Sequence, residues 1–146
     1  MMIEGVLLTP LKKIVHPKGD LFHMMKKSSE GYCGFGETYI STITMNEIKG
    51  WKKHQEMTLN LVVPYGGIKV VVFDDRDGSP THGRFQEFML SIVDYSRLTI
   101  PPGLWVAFQG VSDHVNMLIN IANIEHDPSE ANNIDLSEIS YSWGVE

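Results

Sequence analysis

The most informative pattern of apolar and polar positions runs from Lys49 to Val63, Lys-Gly-Trp-Lys-Lys-His-Gln-Glu-Met-Thr-Leu-Asn-Leu-Val-Val. Side chains of an extended chain alternate between two faces. Taken as one strand from Lys52 to Val63, the run places Lys52, His54, Glu56, Thr58 and Asn60 in a polar row and Met57, Leu59, Leu61 and Val63 in an apolar one. The apolar row predicts a core-facing side. The polar row fits a solvated sheet face, which is the ordinary case, or the lining of a ligand cavity, since it offers an ammonium, an imidazole, a carboxylate and an amide in order.

Short extended runs broken by turn residues continue on either side. Gly5 to Pro10 and Leu11 to Val15 read as strands ending at His16-Pro17-Lys18-Gly19-Asp20, and Leu21 to Lys27 resumes an extended path. Ser28 to Gly36 contains three glycines in nine residues and reads as a loop. Glu37 to Thr44 is rich in β-branched residues and tyrosine, as strands are. Pro64-Tyr65-Gly66-Gly67 lies between two apolar runs and predicts a hairpin into Ile68 to Phe73. After the polar stretch Asp74 to Gly83 come Phe85 to Leu90, one helical turn at Ser91 to Tyr95, and strands at Arg97 to Ile100, Leu104 to Phe108 and Val115 to Ile121. Asp127 followed by Pro128 has the form of an N-cap with proline at the first helical position, which predicts a short C-terminal helix. The sum is an all-β chain, an antiparallel β-sandwich or jelly-roll barrel.

Composition narrows the function classes. With 146 residues, 42% of them hydrophobic, one domain over residues 1–146 with its own core is expected. The net charge of -6 and the short lysine runs argue against a nucleic-acid partner, which needs a dense basic face. The single cysteine, Cys33, permits neither an intrachain disulfide nor a cysteine metal cluster and fits a reducing compartment. No long apolar run suggests a membrane span or a signal peptide, so a cytoplasmic location is expected.

A barrel of this kind suggests a cupin. Metal cupins carry a His-x-His pair and a further histidine after a Pro-x-Gly turn, whereas this chain has Lys52-x-His54 and, beyond Pro101-Pro102-Gly103, Val106. One imidazole is too few for a catalytic metal, so neither metal nor other cofactor is expected. A nucleophile elbow and a phosphate-binding loop are also missing. Proton transfer remains: histidine side chains titrate at roughly 6.5 when unperturbed, which suits His54 as a general base, and Lys52 supplies a cation for a developing oxyanion. His16, His82, His114 and His126 sit in or beside turns and are expected at the surface, while His23, between Phe22 and two methionines, fits packing.

The order of these motifs resembles the dTDP-4-dehydrorhamnose 3,5-epimerase family of cupins. Asp74-Asp75-Arg76-Asp77-Gly78-Ser79-Pro80-Thr81-His82-Gly83 is similar to that family's Asp-x-Arg-x-x-Ser-Pro-Thr-x-Gly; Leu90-Ser91 and Leu98-Thr99-Ile100-Pro101-Pro102-Gly103 follow like its Leu-Ser and Ile-Pro-x-Gly; Lys49-Gly50-Trp51 stands at its Arg-Gly-Leu. The chain resembles a divergent member: Lys52 occupies the place of the family's base, Val106 that of a later histidine, and Ile119 that of its tyrosine acid. A related branch of sugar-nucleotide ketoisomerases has Arg-Gly-Phe-His-x-His with the second histidine as base, and His54 matches that histidine. The resemblance implies a 4-keto-6-deoxy nucleotide sugar bound inside the barrel, Lys52 and Asn60 at the enolate, Lys49 at the diphosphate, Glu37 and Tyr39 in substrate contact, a homodimer that shares strands, and a place in surface polysaccharide synthesis. Tyr39, Tyr95 and Tyr141 are chemical candidates for the acid. Two alternatives stand beside this: a non-catalytic cupin that binds a sugar nucleotide or a partner enzyme, and an isomerase of an unrelated small molecule.

Overall fold

A computed structural model describes residues 1–144. Its strands are β1 (Leu7–Pro10), β2 (Lys13–Ile14), β3 (Leu21–Phe22), β4 (Glu37–Ile43), β5 (Ile48–His54), β6 (Leu59–Tyr65), β7 (Gly67–Phe73), β8 (Phe85–Ser91), β9 (Ser96–Ile100), β10 (Trp105–Gly110), β11 (Asn116–Ala122) and β12 (Ala131–Asn133). They form two five-stranded sheets, ordered β1-β9-β6-β11-β4 and β12-β5-β10-β7-β8, with β2 and β3 as a separate pair. The expected all-β sandwich is what the chain forms. The short helix after Asp127 is a single 3-10 turn, Pro128–Glu130, with the Asp127 carboxylate accepting from the backbone N–H of Ser129. A second such turn covers Leu136–Glu138. Ser91 to Tyr95, expected as a helical turn, is the last residue of β8 followed by a bend and turn that lead to β9.

Alternation explains which side chains the sheets bury. Leu59, Leu61 and Val63 of β6 meet Ile68, Val70 and Val72 of β7, Leu98 and Ile100 of β9, and Leu118 of β11 in the space between the sheets. The other parity of β7 is apolar too, because the outer face of the second sheet is also covered. There Trp51, Val71, Trp105 and Ala107 pack beneath Ile134, Leu136, Ile139, Tyr141 and Trp143.

Two sequence expectations fail at crossings between the sheets. Lys52 to Val63 is not one strand: β5 stops at His54, and β6 starts at Leu59 in the opposite sheet. The backbone N–H groups of Gln55, Glu56 and Met57 donate to Oε2 of Glu130 at 3.1, 3.0 and 3.2 Å instead of to a neighbouring strand. The crossing inverts the side-chain parity, so Lys52 and His54 of β5 and the odd positions of β6 face the interior. The proposed polar row therefore breaks after His54, and Glu56 is exposed. Pro64 to Gly67 is likewise no hairpin, since β6 and β7 belong to different sheets. Gly66 turns there with φ of 78° against Asn116, leaving no room for a Cβ. Asn116 fixes the crossing by accepting from Gly67 N–H at 2.9 Å and donating to the carbonyl of Ile43 at 3.1 Å.

The stretch Asp74 to Gly83 is a self-contained polar loop. Asp74 is fully buried and accepts from the Arg76 backbone N–H, Nε and Nη2 at 3.0, 2.9 and 2.9 Å, and from Ser79 Oγ and Thr81 Oγ1 at 2.6 Å each. Arg76 Nη2 also donates to the carbonyl of Glu4 at 2.8 Å, tying the first residues to this loop. The Arg76 hydrogen bonds hold the Asp74 carboxyl far below the ordinary carboxylate range, with those from Ser79 and Thr81 adding to the effect against the opposing pull of burial.

Candidate active site

Between the two sheets lies a cavity of about 380 Å³, within the range of ligand pockets. From the second sheet and the segment beside it, Lys49, Lys52, His54, Val106, Phe108 and Asn133 line it; from the facing sheet come Tyr39, Ser41, Leu59, Leu61, Leu118 and Asn120. The two inward side chains near the end of β5 therefore meet a mostly apolar wall across the gap.

His54 is 8% exposed and its Nδ1 is hydrogen-bonded to Oε1 of Glu130, itself 5% exposed. The other Glu130 oxygen takes the three backbone N–H groups of the β5–β6 crossing. Burial acts to raise the Glu130 carboxyl, but the His54 hydrogen bond and the backbone N–H groups of Glu56 and Met57 outweigh it and hold the group below its ordinary value. An ionised carboxylate at Nδ1 calls for a proton there, which leaves Nε2 with the lone pair. The backbone carbonyl of His54 accepts from Gly103 N–H at 2.8 Å, so the Pro101-Pro102-Gly103 turn fixes the strand end. Strand β12 fixes the other side, with Ala131 opposite His54 and Asn133 opposite Lys52.

Lys52 is half-buried beside Val106, its partner in the β5–β10 register. Among the described residues its ammonium has no hydrogen bond or ion pair, in contrast to Lys53. That neighbour faces the outer side, where it pairs with Asp75 at 2.6 Å and lies 4.6 Å from the Trp105 ring centroid. Lys49 sits at the rim, donating to the carbonyl of Thr42 at 2.7 Å. Gly50 passes so close to Ala107 that a side chain has no room, which lets β5 lie against β10 on this wall.

The remaining sequence candidates divide. Tyr39 lines the cavity, and its hydroxyl oxygen accepts from Asn120 Nδ2 at 3.1 Å. Glu37 has the parity of Tyr39 in β4 but lies one repeat beyond the cavity lining, opposite Ala122. Asn60 does not reach the cavity. It is buried on the other face of β6, where its amide donates to the Gly31 carbonyl at 3.1 Å and accepts from Thr99 Oγ1 at 2.6 Å. The parity inversion at the crossing is the reason. Tyr95 packs edge-on against Phe22, and Tyr141 belongs to the outer aromatic cluster with its hydroxyl on Glu87; neither lines the cavity. His16, His82, His114 and His126 are exposed.

Sequence reasoning missed Glu130 and Asn120. Glu130 stands three residues after the N-cap Asp127, the spacing of a capping box, which assigns it a local partner. The structure turns it inward instead, to a histidine 76 residues away. Asn120 is visible only through register, as the residue paired with Tyr39 across β11 and β4.

Chemically, the arrangement offers an imidazole with a free ring nitrogen, a carboxylate that can stabilise its protonated form, and an ammonium one strand repeat away. Such a set suits proton abstraction next to a carbonyl. Fold and cavity define a cupin-type sandwich with an internal cavity. The chain belongs to the dTDP-4-dehydrorhamnose 3,5-epimerase family, whose sequence model matches residues 2–145. A probable low-salt glycan biosynthesis epimerase of Haloferax volcanii is 29% identical over 120 residues, which span 81% of this chain and 77% of that protein. The crystal structure of a dTDP sugar isomerase from Desulfovibrio desulfuricans is 34% identical, covers 97% of this chain and 92% of its own, and superposes with a TM-score of 0.92. A 3'-monoepimerase from Streptomyces bikiniensis, solved with dTDP-quinovose, shares the fold with a TM-score of 0.87 at 17% identity, over all of this chain and 79% of that one. Family membership makes this protein a sugar-nucleotide epimerase by class.

Proposed function

We propose that the protein epimerises a 4-keto-6-deoxy sugar carried on a nucleoside diphosphate, for surface polysaccharide synthesis in the cytoplasm, with His54 as the base. The observation that carries this reading is the buried Glu130–His54 pair, which sets the imidazole tautomer and leaves Nε2 for the cavity. In this reaction Nε2 removes the proton on the carbon next to the ketone, and Glu130 stabilises the imidazolium that results. Negative charge moves to the ketone oxygen, where the Lys52 ammonium stabilises it in mostly apolar surroundings. Lys49 at the rim meets the diphosphate. The relatives support the substrate class: one is a dTDP sugar isomerase, another was solved with dTDP-quinovose, and a third is a probable glycan biosynthesis epimerase.

A homodimer fits this reading. Strand β4 is the edge of its sheet and leaves Ile40, on the face opposite to the cavity-lining Tyr39, 61% exposed, a surface that a second copy covers by pairing along the strand.

The test is proton exchange with a dTDP-4-keto-6-deoxy sugar in deuterated water, followed by NMR. The wild type exchanges the proton next to the ketone, and His54→Ala slows exchange by about 10² to 10⁴-fold. Exchange that persists in His54→Ala removes His54 as the base, and binding of dTDP with no exchange in the wild type favours the non-catalytic cupin.

A further inference from the structure

Inverting a carbon centre requires that a proton leave one face and another arrive on the opposite face, so one base is not enough. We infer that Tyr39 is the second catalytic residue, the proton donor that completes inversion from the sheet facing His54; this rests on the function proposed above. His54 ends β5 in one sheet, Tyr39 lies on β4 in the other, and both line the same cavity. A sugar ring held between the sheets has the imidazole on one side and the phenol on the other.

The chemistry of the facing wall leaves few other donors. Leu59, Leu61 and Leu118 carry no acidic proton, Asn120 is a carboxamide and Ser41 an aliphatic hydroxyl. Phenols as a class titrate near roughly 10, close enough to the acidity of an enol for proton transfer to an enolate, whereas carboxamides and aliphatic hydroxyls are far weaker acids. Ile119, where the resemblance places a tyrosine, points away from the cavity, since Leu118 and Asn120 on either side line it. The donor is therefore supplied by the neighbouring strand.

Tyr39 is also held for this task. Asn120 is 1% exposed, and its Oδ1 accepts from the backbone N–H of Asn60 at 3.1 Å, so the amide is fixed. Its Nδ2 donates to the phenol oxygen at 3.1 Å. A donor on that oxygen leaves the phenol proton free to point at substrate and stabilises the phenolate formed when the proton departs. The ring is 45% exposed, which gives the phenolate access to solvent for reprotonation.

The step balances without a co-reactant. The C–H bond next to the ketone breaks, its proton goes to His54 Nε2, and its electron pair forms the enolate. A new C–H bond then forms on the opposite face with the Tyr39 proton, leaving a phenolate and an imidazolium that exchange one proton through water.

The experiment compares wild type with Tyr39→Phe on the same nucleotide-linked 4-keto sugar in deuterated water. Exchange next to the ketone is expected to stay within a few-fold of wild type, while formation of the inverted epimer falls by about 10²-fold or more. Inversion at the wild-type rate overturns the assignment. Equal loss of exchange and inversion overturns it as well, because Tyr39 is then a binding contact. A wild type that neither exchanges nor inverts defeats the underlying function, a result separable from either of these.

Discussion

Two carboxylates are buried among the described residues, and their surroundings differ in kind. Asp74 has both oxygens occupied by donors from its own loop, none more than seven residues away, so its charge organises a turn and reaches nothing else. Glu130 has one oxygen occupied by three backbone N–H groups and the other by an imidazole whose second nitrogen is available to a cavity. A buried charge is costly unless satisfied. What separates structural from chemical use is whether the last partner can pass the effect onward. The loop around Asp74 carries the strongest sequence resemblance to the family, and its geometry is that of a brace. His54 and Lys52 lie outside that loop, on β5.

Exchanging the roles of the two carboxylates in experiment sharpens this contrast. The largest effect is expected from Glu130→Gln. A carboxamide cannot accept from the crossing and from Nδ1 with two oxygens, and its NH₂ turned to the ring favours the wrong tautomer. By analogy with the aspartate of a catalytic triad, kcat falls by about 10³ to 10⁴-fold with KM little changed. A wild-type kcat would reduce Glu130 to a second brace.

Next in size is Arg76→Met, which leaves Asp74 buried without its cation and is expected to cost about 3–5 kcal/mol in denaturant unfolding, with kcat per folded molecule unchanged. The pH dependence has a definite sign. Because the folded Asp74 carboxyl lies below its ordinary value, its stabilisation is fully present above about pH 4 and is lost as pH falls further. The wild type therefore loses stability between about pH 4 and pH 2, and Arg76→Met loses less over that window. A loss of equal steepness in the variant would show that this pair does not govern the acid limb. Smaller again is Lys52→Met. With no partner to lose among the described residues, it should melt like the wild type, yet turn over about 10²-fold more slowly if the ammonium meets the enolate.

How far the sequence could be read follows the distance over which each feature is specified. The strands from Glu37 to Ile43 and from Gly67 to Phe73 are set by local alternation and turn residues, and they fall where the pattern puts them. Lys52 and His54 share a face because they are two residues apart on one strand. Asn60 was misassigned for a non-local reason: the acceptor that ends β5 and starts the crossing is Glu130, 74 residues from the Glu56 N–H that it binds. The turn at Gly66 was legible as a turn, but which strand each neighbour pairs with depends on Asn116, a side chain from another part of the chain. Tyr39 could be picked out by residue type alone; its link to Asn120 needed the register of two strands.

The wall formed by Glu130 and Ala131–Asn133 comes late in the chain. During synthesis His54 emerges 76 residues ahead of the carboxylate that orients it. A nascent chain halted on the ribosome before Glu130 carries a His54 ring with no carboxylate at Nδ1 and a groove without β12 along one side, so under the proposed function the base is oriented only after that late stretch has emerged.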